Sequence, residues 1–485
     1  MEEHTNLTAL HIACQNAFEN LACLLIDKSN INLLTNLNTS TLPLHLACKN
    51  KHETIQILKR ILDRIKNEAP SDLLNVITKL DTNKQSILNI AIENNHLNII
   101  DLLLKDYYVE GKDNEDKSGN LPVHIAAKSG SVEILKILVK NEAVSFKNNS
   151  NGDNALHIAA ENNKFNFIVE LLAYEKEYVK KYNLQDTHEP FAKCLNKSKN
   201  TPLFLAAIGG HTKCVELLVM LDEVDLSLQD IDGNSIYHIF ALYNSFESLR
   251  FCLTRKNSQK FLNPLYIKNN KNETLIHTAS RLENLEIIKI ALSKLYDGLM
   301  SAEVFLTLKN NEGDNFFHIA CKKGYFNIVE YFLKDLKMKY LVNIADSNLN
   351  TPLHLASEKG HLSIVNILID MGADMNAKNK DENNPLELSC RKGYFEVSKV
   401  LINRYPKIEA EKTVNDDPLH VASTEGAFEV VRLLLSKGAE IDKVNHENKN
   451  CLDLAIENGH REVIKALLED ENWQKLLKNL SSFHV

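Results

Sequence analysis

Histidine is the residue type here with the most capacity for chemistry. The 485-residue chain carries 18 of them, and imidazole can act as general base or metal ligand. Nine stand at the fourth place of a recurring four-residue phrase, as in TALH at His11, LPLH at His45 and TPLH at His354. Three more, His211, His361 and His460, follow a glycine a little farther on. A catalytic or metal site needs such groups to converge on one point. These are strung out a whole repeat apart, as a ladder. Their spacing assigns them structural work, because one imidazole can accept one hydrogen bond and donate another to nearby backbone.

The other candidates for chemistry also read as structure. DIDGN (Asp230–Asn234) looks like a calcium loop, but its glycine comes two places early and the closing acid is missing. D-x-x-G-N here is the turn before the next helix. The nine cysteines include no C-x-x-C pair. Apolar settings such as IAC at Cys14 and Cys321 and LAC at Cys48 predict small buried thiols in a reducing compartment. No G-x-x-x-x-G-K-[ST], G-x-S-x-G or H-E-x-x-H occurs. The expectation is no catalytic residue, no cofactor, no metal and no enzyme.

Composition narrows the partners. With 25% charged and 44% hydrophobic residues the chain can bury a large core. A net charge of −8 with well-mixed signs offers no footprint for nucleic acid, and KEYVKK (Lys176–Lys181) is too short to supply one. MEEHTNLTALHIAC lacks the form of a signal peptide, so the N-L-T at Asn6 reads as a chance glycosylation match. No run reaches the roughly 18 apolar residues that span a bilayer; Leu203–Leu221 comes closest and is broken by His211, Lys213 and Glu216. Asparagine is conspicuously frequent, with no chemistry assigned to it.

The elements that carry these residues form a repeat. The phrase recurs thirteen times, with fourth positions at His11, His45, Asn89, His124, His157, Phe204, His238, His277, His318, His354, Glu387, His420 and Asp453. The steps are 34, 44, 35, 33, 47, 34, 39, 41, 36, 33, 33 and 33 residues, a base period of 33 with insertions. In TPLH, Thr351 can cap a helix, Pro352 suits its first turn, Leu353 points inward and His354 ties the turn to its neighbour. Alanine stands two places after the fourth position in eleven copies, Phe240 and Ser389 being the exceptions. Glycine stands six places after it in seven copies and asparagine in three, the residues that best tolerate a left-handed helix end. An apolar second helix comes next, as in HLSIVNILIDMG, and then a polar finger.

This unit resembles the ankyrin repeat, whose 33-residue unit carries T-P-L-H-x-A. The resemblance covers nearly the whole chain and implies an all-α solenoid of stacked helix-turn-helix units with β-turn or hairpin fingers. About thirteen repeats would fill residues 1–470, with insertions near 59–80 and 174–200 and a helical extension at 471–485. The insertion with KRILDRIKNEAPSDLL is expected to lengthen a helix. The solenoid's product is surface: a concave face of first helices and finger tips that binds proteins. Most aromatics of copy nine (Phe316, Phe317, Phe326, Tyr331, Phe332) read as core. Tyr325 and Tyr394, which replace the usual histidine after glycine, are expected partner contacts.

The end of the array narrows the resemblance. C-L-D-L-A-I-x-N-G-H-R-x-V-x-x-A-L-L and a trailing tryptophan look like the last repeat of TRPA-type transient receptor potential cation channels. The matching residues are Cys451, Asp453, Ala455, Gly459, His460, Leu467, Leu468 and Trp473. This implies the cytosolic N-terminal array of such a channel, as a fragment, truncated or short form, with the membrane region and further subunits as partners. Electrophile-sensing cysteines of some relatives lie outside the array, so none is carried over. The other expectation is a soluble ankyrin adaptor or effector in the cytoplasm. Trp473 is expected to pack on the last repeat or on a segment downstream of it, as a third partner contact.

Overall fold

Each of the thirteen phrases opens a short helix, and each is followed by a second helix packed against it, from Ala9–Gln15 with Glu19–Lys28 to Cys451–Glu457 with Arg461–Glu469. The computed structural model describes residues 8–34, 41–50, 54–107, 114–254, 264–295, 306–404, 417–470 and 474. The chain divides into two compact units, Met1–Phe261 with seven helix pairs and Leu262–Val485 with six. Each unit is an all-α stack in which first helix packs on first helix and second on second. Trp473 and the rest of 471–485 apart from Gln474 lie outside the described residues.

The first helices start as the phrase dictates. In copy ten the capping residue Thr351 is extended, at φ −78° and ψ 166°, and Pro352 occupies the first turn. Leu353, His354, Leu355 and Ala356 are all buried. The second helix Leu362–Asp370 buries Ile364, Val365, Ile367 and Leu368, while Ile369 sits half-buried at the stripe's edge. Helices of seven to nine residues are marginal alone, so the stack stabilises them by burying these faces. Phe316 and Phe332 lie 4.5 Å apart between ring centroids and are fully buried with Phe317, so these three are core, while Phe326 and Tyr331 are only half-buried at the edge of the stack.

The fingers are turns rather than hairpins. Among the described residues no strand forms, only the single bridge Gln229–Ser235. In DIDGN one Asp230 oxygen accepts the N–H groups of Asp232 and Asn234 at 2.9 and 2.7 Å, and the Asp230 N–H donates to the Asn234 carbonyl. Nine other turns repeat this pattern, with Asp81, Asp116, Asn149, Asn196, Asn269, Asn310, Asp346, Asn379 and Asn445 as the closing side chain. Asn and Asp can close such turns because the side-chain oxygen reaches backbone two residues on. The abundant asparagine therefore has a job that composition did not reveal.

Both insertions are folded. After copy two the second helix runs to fourteen residues, Ile55–Glu68, followed by Pro70–Asp72 and Leu73–Thr78. After copy five it reaches seventeen, Phe165–Lys181. Here Phe146 packs on Tyr178 and Phe191 at 4.5 and 5.1 Å, and buried Glu175 accepts hydrogen bonds from His188 Nε2 and the Phe191 N–H at 2.8 and 2.7 Å. Burial pushes the Glu175 carboxyl up, partly offset by His188.

Glycines at the ends of first helices answer two demands. Gly360 and Gly459 both have positive φ, 76° and 72°. A Cβ on Gly360 would stand 2.6 Å from the Tyr394 ring of the next copy, whereas one on Gly459 meets nothing within 4 Å. Gly459→Ala should therefore cost about 1 kcal/mol, the left-handed backbone alone. Gly360→Ala should cost roughly 1 kcal/mol more because a packed ring must shift. Hydrogen exchange in Pro352–Lys359 and Phe395–Arg404, compared with that in Cys451–Glu457, separates the two.

Candidate protein-binding surface

The histidines form two ladders running in opposite directions. In copy ten the Thr351 N–H donates to His354 Nδ1 at 3.1 Å, which leaves the ring's proton on Nε2. Nε2 then donates to the Asn383 carbonyl, in the turn ahead of the next copy, at 3.1 Å. His11, His45, His157, His277, His318 and His420 reach onward in the same way, to Thr41, Lys79, Asn200, Leu308, Ile344 and Lys443. The residues after glycine reach backward. His361 donates to the Lys322 carbonyl and His460 to that of Thr424. All are tied to backbone, and none converges with another on a reacting centre.

Tyr325 belongs to the backward ladder, and Tyr394 reaches backward by packing. The Tyr325 hydroxyl donates to the Arg281 carbonyl at 3.2 Å and the ring is half-buried. The Tyr394 ring lies over Gly360 and keeps 38% of its surface exposed. The two tyrosines stand in copies nine and eleven, and Trp473 lies outside the described residues. Among the described residues no group of three His, Cys, Asp or Glu is placed to hold a metal ion. No helix among them is long and apolar enough to cross a membrane.

Substitutions in the ladder show what the fourth position does. Asn89 keeps the onward bond, its amide donating to the Asn114 carbonyl at 3.3 Å. Glu387 and Asp453 keep only the local half, accepting the N–H of Asn384 and Asn450 at 2.7 and 3.0 Å. A carboxylate has no proton to offer a neighbouring carbonyl. Copy twelve pairs its histidine differently. Asp417 accepts from His420 Nδ1 at 2.7 Å, and although burial pushes Asp417 up, His420 holds it below the usual carboxylate range.

Finger tips and first-helix ends share one side of the stack. Contacts between the two define it: Lys322 pairs with Glu312 and Asp314 at 3.2 and 3.3 Å, Arg281 with Glu273 at 3.0 Å and Arg391 with Asn383 at 3.1 Å. In copies six and seven the same face carries a group of apolar side chains. Ile208, Leu242 and Tyr243 from the helix ends and Ile231 from a finger line a groove of about 270 Å³ with Asp230 and Asp232. Reading the sequence phrase by phrase missed this patch. Aligning the ends of all the first helices would have exposed it.

Comparison with known proteins agrees with this architecture. The family model for Ankyrin repeats (3 copies) matches residues 65–147, 88–186, 142–230, 238–339, 293–379, 336–416 and 386–478, and that for the Ankyrin repeat matches 5–36. The chain is similar to the Homo sapiens transient receptor potential cation channel subfamily A member 1, 24% identical over 327 residues, 62% of this chain and 28% of that one. It is also similar to the Drosophila melanogaster protein of the same name, 24% over 289 residues, 53% and 23% of the two chains. Homo sapiens NF-kappa-B inhibitor alpha is 30% identical over 152 residues, 30% of this chain and 44% of the inhibitor. The match spans less than a third of either channel's length.

The ladder makes stability depend on pH. Burial lowers the pKa of His124 and His318 to about 4 and lowers His11, His45, His157 and His354 as well. Below about 6.5 the unfolded chain takes up protons that the folded chain refuses. Stability is therefore full above about pH 6.5 and falls as pH drops toward about 4, by up to about 1.4 kcal/mol per pH unit for each histidine. Urea unfolding at pH 7.5 and 5.0 should show this loss. His318→Asn, which keeps a donor as Asn89 does, should cost about 1 kcal/mol at pH 7.5 and show a smaller deficit at pH 5.0.

Burial also protects the thiols. Seven of the nine cysteines are buried, and Cys23 and Cys194 are half-exposed. Burial raises Cys14, Cys390 and Cys451 to about 12. Iodoacetamide on the folded chain at pH 8 should modify Cys23 first and leave those three unmodified until urea unfolds them, as read by peptide mass spectrometry.

Proposed function

We propose that this chain, which belongs to the ankyrin-repeat family, is a protein-recognition scaffold, and more specifically the cytosolic array of a TRPA-like cation channel. The observation that carries the finer reading is similarity to the human channel along 62% of this chain, joined to the ending around Asp453 and Trp473. Such an array would sit at the cytosolic face of a membrane, contact the channel's transmembrane region and other subunits, bind no cofactor and catalyse nothing. A partner seated on the finger face would bias the stack, and the last copy would pass that bias onward. Tyr325 and Tyr394 would offer their open ring surfaces to that partner.

The last copy supports a continuation. Ile456 and Leu468 are 56% and 39% exposed on it, and Asp453 gives up the onward hydrogen bond. A downstream segment would cover this apolar surface, with Trp473 as its anchor. A second reading, a soluble adaptor in the cytoplasm, draws on the 30% identity to NF-kappa-B inhibitor alpha.

Sequencing the transcript through and beyond the Val485 codon decides between them. The channel reading expects six apolar segments of about 20 residues in the same frame. A stop codon there with no such segments leaves the adaptor. In a chain that includes the downstream region, Trp473→Ala should raise hydrogen exchange severalfold across Ile456–Leu468 while earlier copies stay protected. Unchanged protection there would contradict a docking role for Trp473.

A further inference from the structure

The repeat supplies its own control for reading its surface. The fourth and fifth residues after the phrase's last position, where the first helix ends, are exposed or half-buried and both polar in ten of the thirteen copies, for example Glu161 and Asn162, Lys322 and Lys323, or Glu457 and Asn458. Packing therefore asks for nothing apolar at this place. Copy six puts Ile208 there, copy seven puts Leu242 and Tyr243, which are 36% and 49% exposed, and copy eight puts Leu282. The second residue of the turn obeys the same logic. Nine of the ten closed turns carry a polar side chain, such as Lys117, Asn270 or Lys380; copy seven's turn carries Ile231, 62% exposed.

Four of these five deviations, all but Leu282, fall on one groove of about 270 Å³. Four apolar side chains clustered where the fold requires none form a patch that soluble surfaces otherwise avoid. The volume is below that of small-molecule pockets and fits one or two side chains of a peptide. The ionised residues lining it are Asp230 and Asp232, and none of the lining residues is basic. Asp230 already binds its own turn through both oxygens, which fixes its charge at the groove's edge.

We infer that the groove of copies six and seven is a docking point for a peptide segment that inserts a bulky apolar side chain and carries lysine or arginine beside it. This rests on the scaffold reading and deepens it by naming the partner's chemistry. The apolar side chain displaces water from Ile208, Ile231 and Leu242. Tyr243 contributes a rigid aromatic wall of the kind that dominates binding hot spots. The flanking cation faces Asp230 and Asp232 and sets the orientation.

The probe is a fluorescein-labelled Gly/Ser peptide with Lys-Leu-Phe-Lys at its centre, titrated against the full chain by anisotropy. Companion peptides carry Glu-Leu-Phe-Glu or Lys-Ser-Ser-Lys. The first should bind saturably and each companion at least about tenfold more weakly. The triple variant Ile231→Asn, Leu242→Glu, Tyr243→Asn installs residues that other copies carry at those positions, so it should fold, as circular dichroism would verify. It should lose at least about tenfold in affinity. Asp232→Asn should lose roughly two- to fivefold and flatten the salt dependence. Equal binding of the acidic companion, or unchanged affinity in the triple variant, overturns the inference. Absence of saturable binding by the first peptide overturns it too, and leaves the scaffold reading to be judged on the transcript.

Discussion

One bond type sets the terms for the rest of the stack: the imidazole N–H of one copy donating to a backbone carbonyl ahead of the next. Two helices of seven to nine residues cannot hold themselves together in water. Each copy hides its apolar faces against its neighbours, and the polar backbone buried there needs partners or costs about 1–3 kcal/mol per group. The fourth-position histidine answers both needs with one ring, its Nδ1 serving its own helix start and its Nε2 serving the neighbour. The ring after glycine sends a second bond the opposite way. An interior copy with both is clasped from both sides.

This arrangement explains why so much of the fold was legible. The phrase T-P-L-H states a cap, a first turn, a core residue and a linker in four letters, and it is written thirteen times with variation. The lengthened helix Ile55–Glu68 and the buried aromatics of copy nine came from ordinary apolar spacing. Less legible was whatever depends on what a neighbouring copy brings within reach. Tyr394 looks like a free aromatic in one dimension and lies over the glycine of the preceding copy in three. Asparagine looks like compositional drift, and in turn after turn an Asn oxygen closes the finger. The apolar ends of copies six and seven read as helix residues until they are set beside the polar residues other copies carry there.

The departures from the phrase are as informative as its repetition. Asparagine at position 89 preserves the link because an amide can still donate. Glutamate at 387 and aspartate at 453 preserve the cap and surrender the link. The chemistry of one side chain thus decides whether a copy links onward or only caps its own helix.

Phe204 has a different consequence. It fills the fourth position of copy six with a fully buried ring that has neither donor nor acceptor. Its helix is capped by Thr201 alone at 3.4 Å, and the turn-to-turn bond from Ile231 to Ser198 bridges the two copies there. Coupling between neighbours is then uneven along the first unit. In a one-dimensional array, where stability is a sum of copies and junctions, a junction held by packing and fewer oriented bonds is the place where cooperative blocks part company. The seam coincides with the apolar groove, so a segment seated across copies six and seven would act as a splint, strengthening a junction that lacks the histidine link.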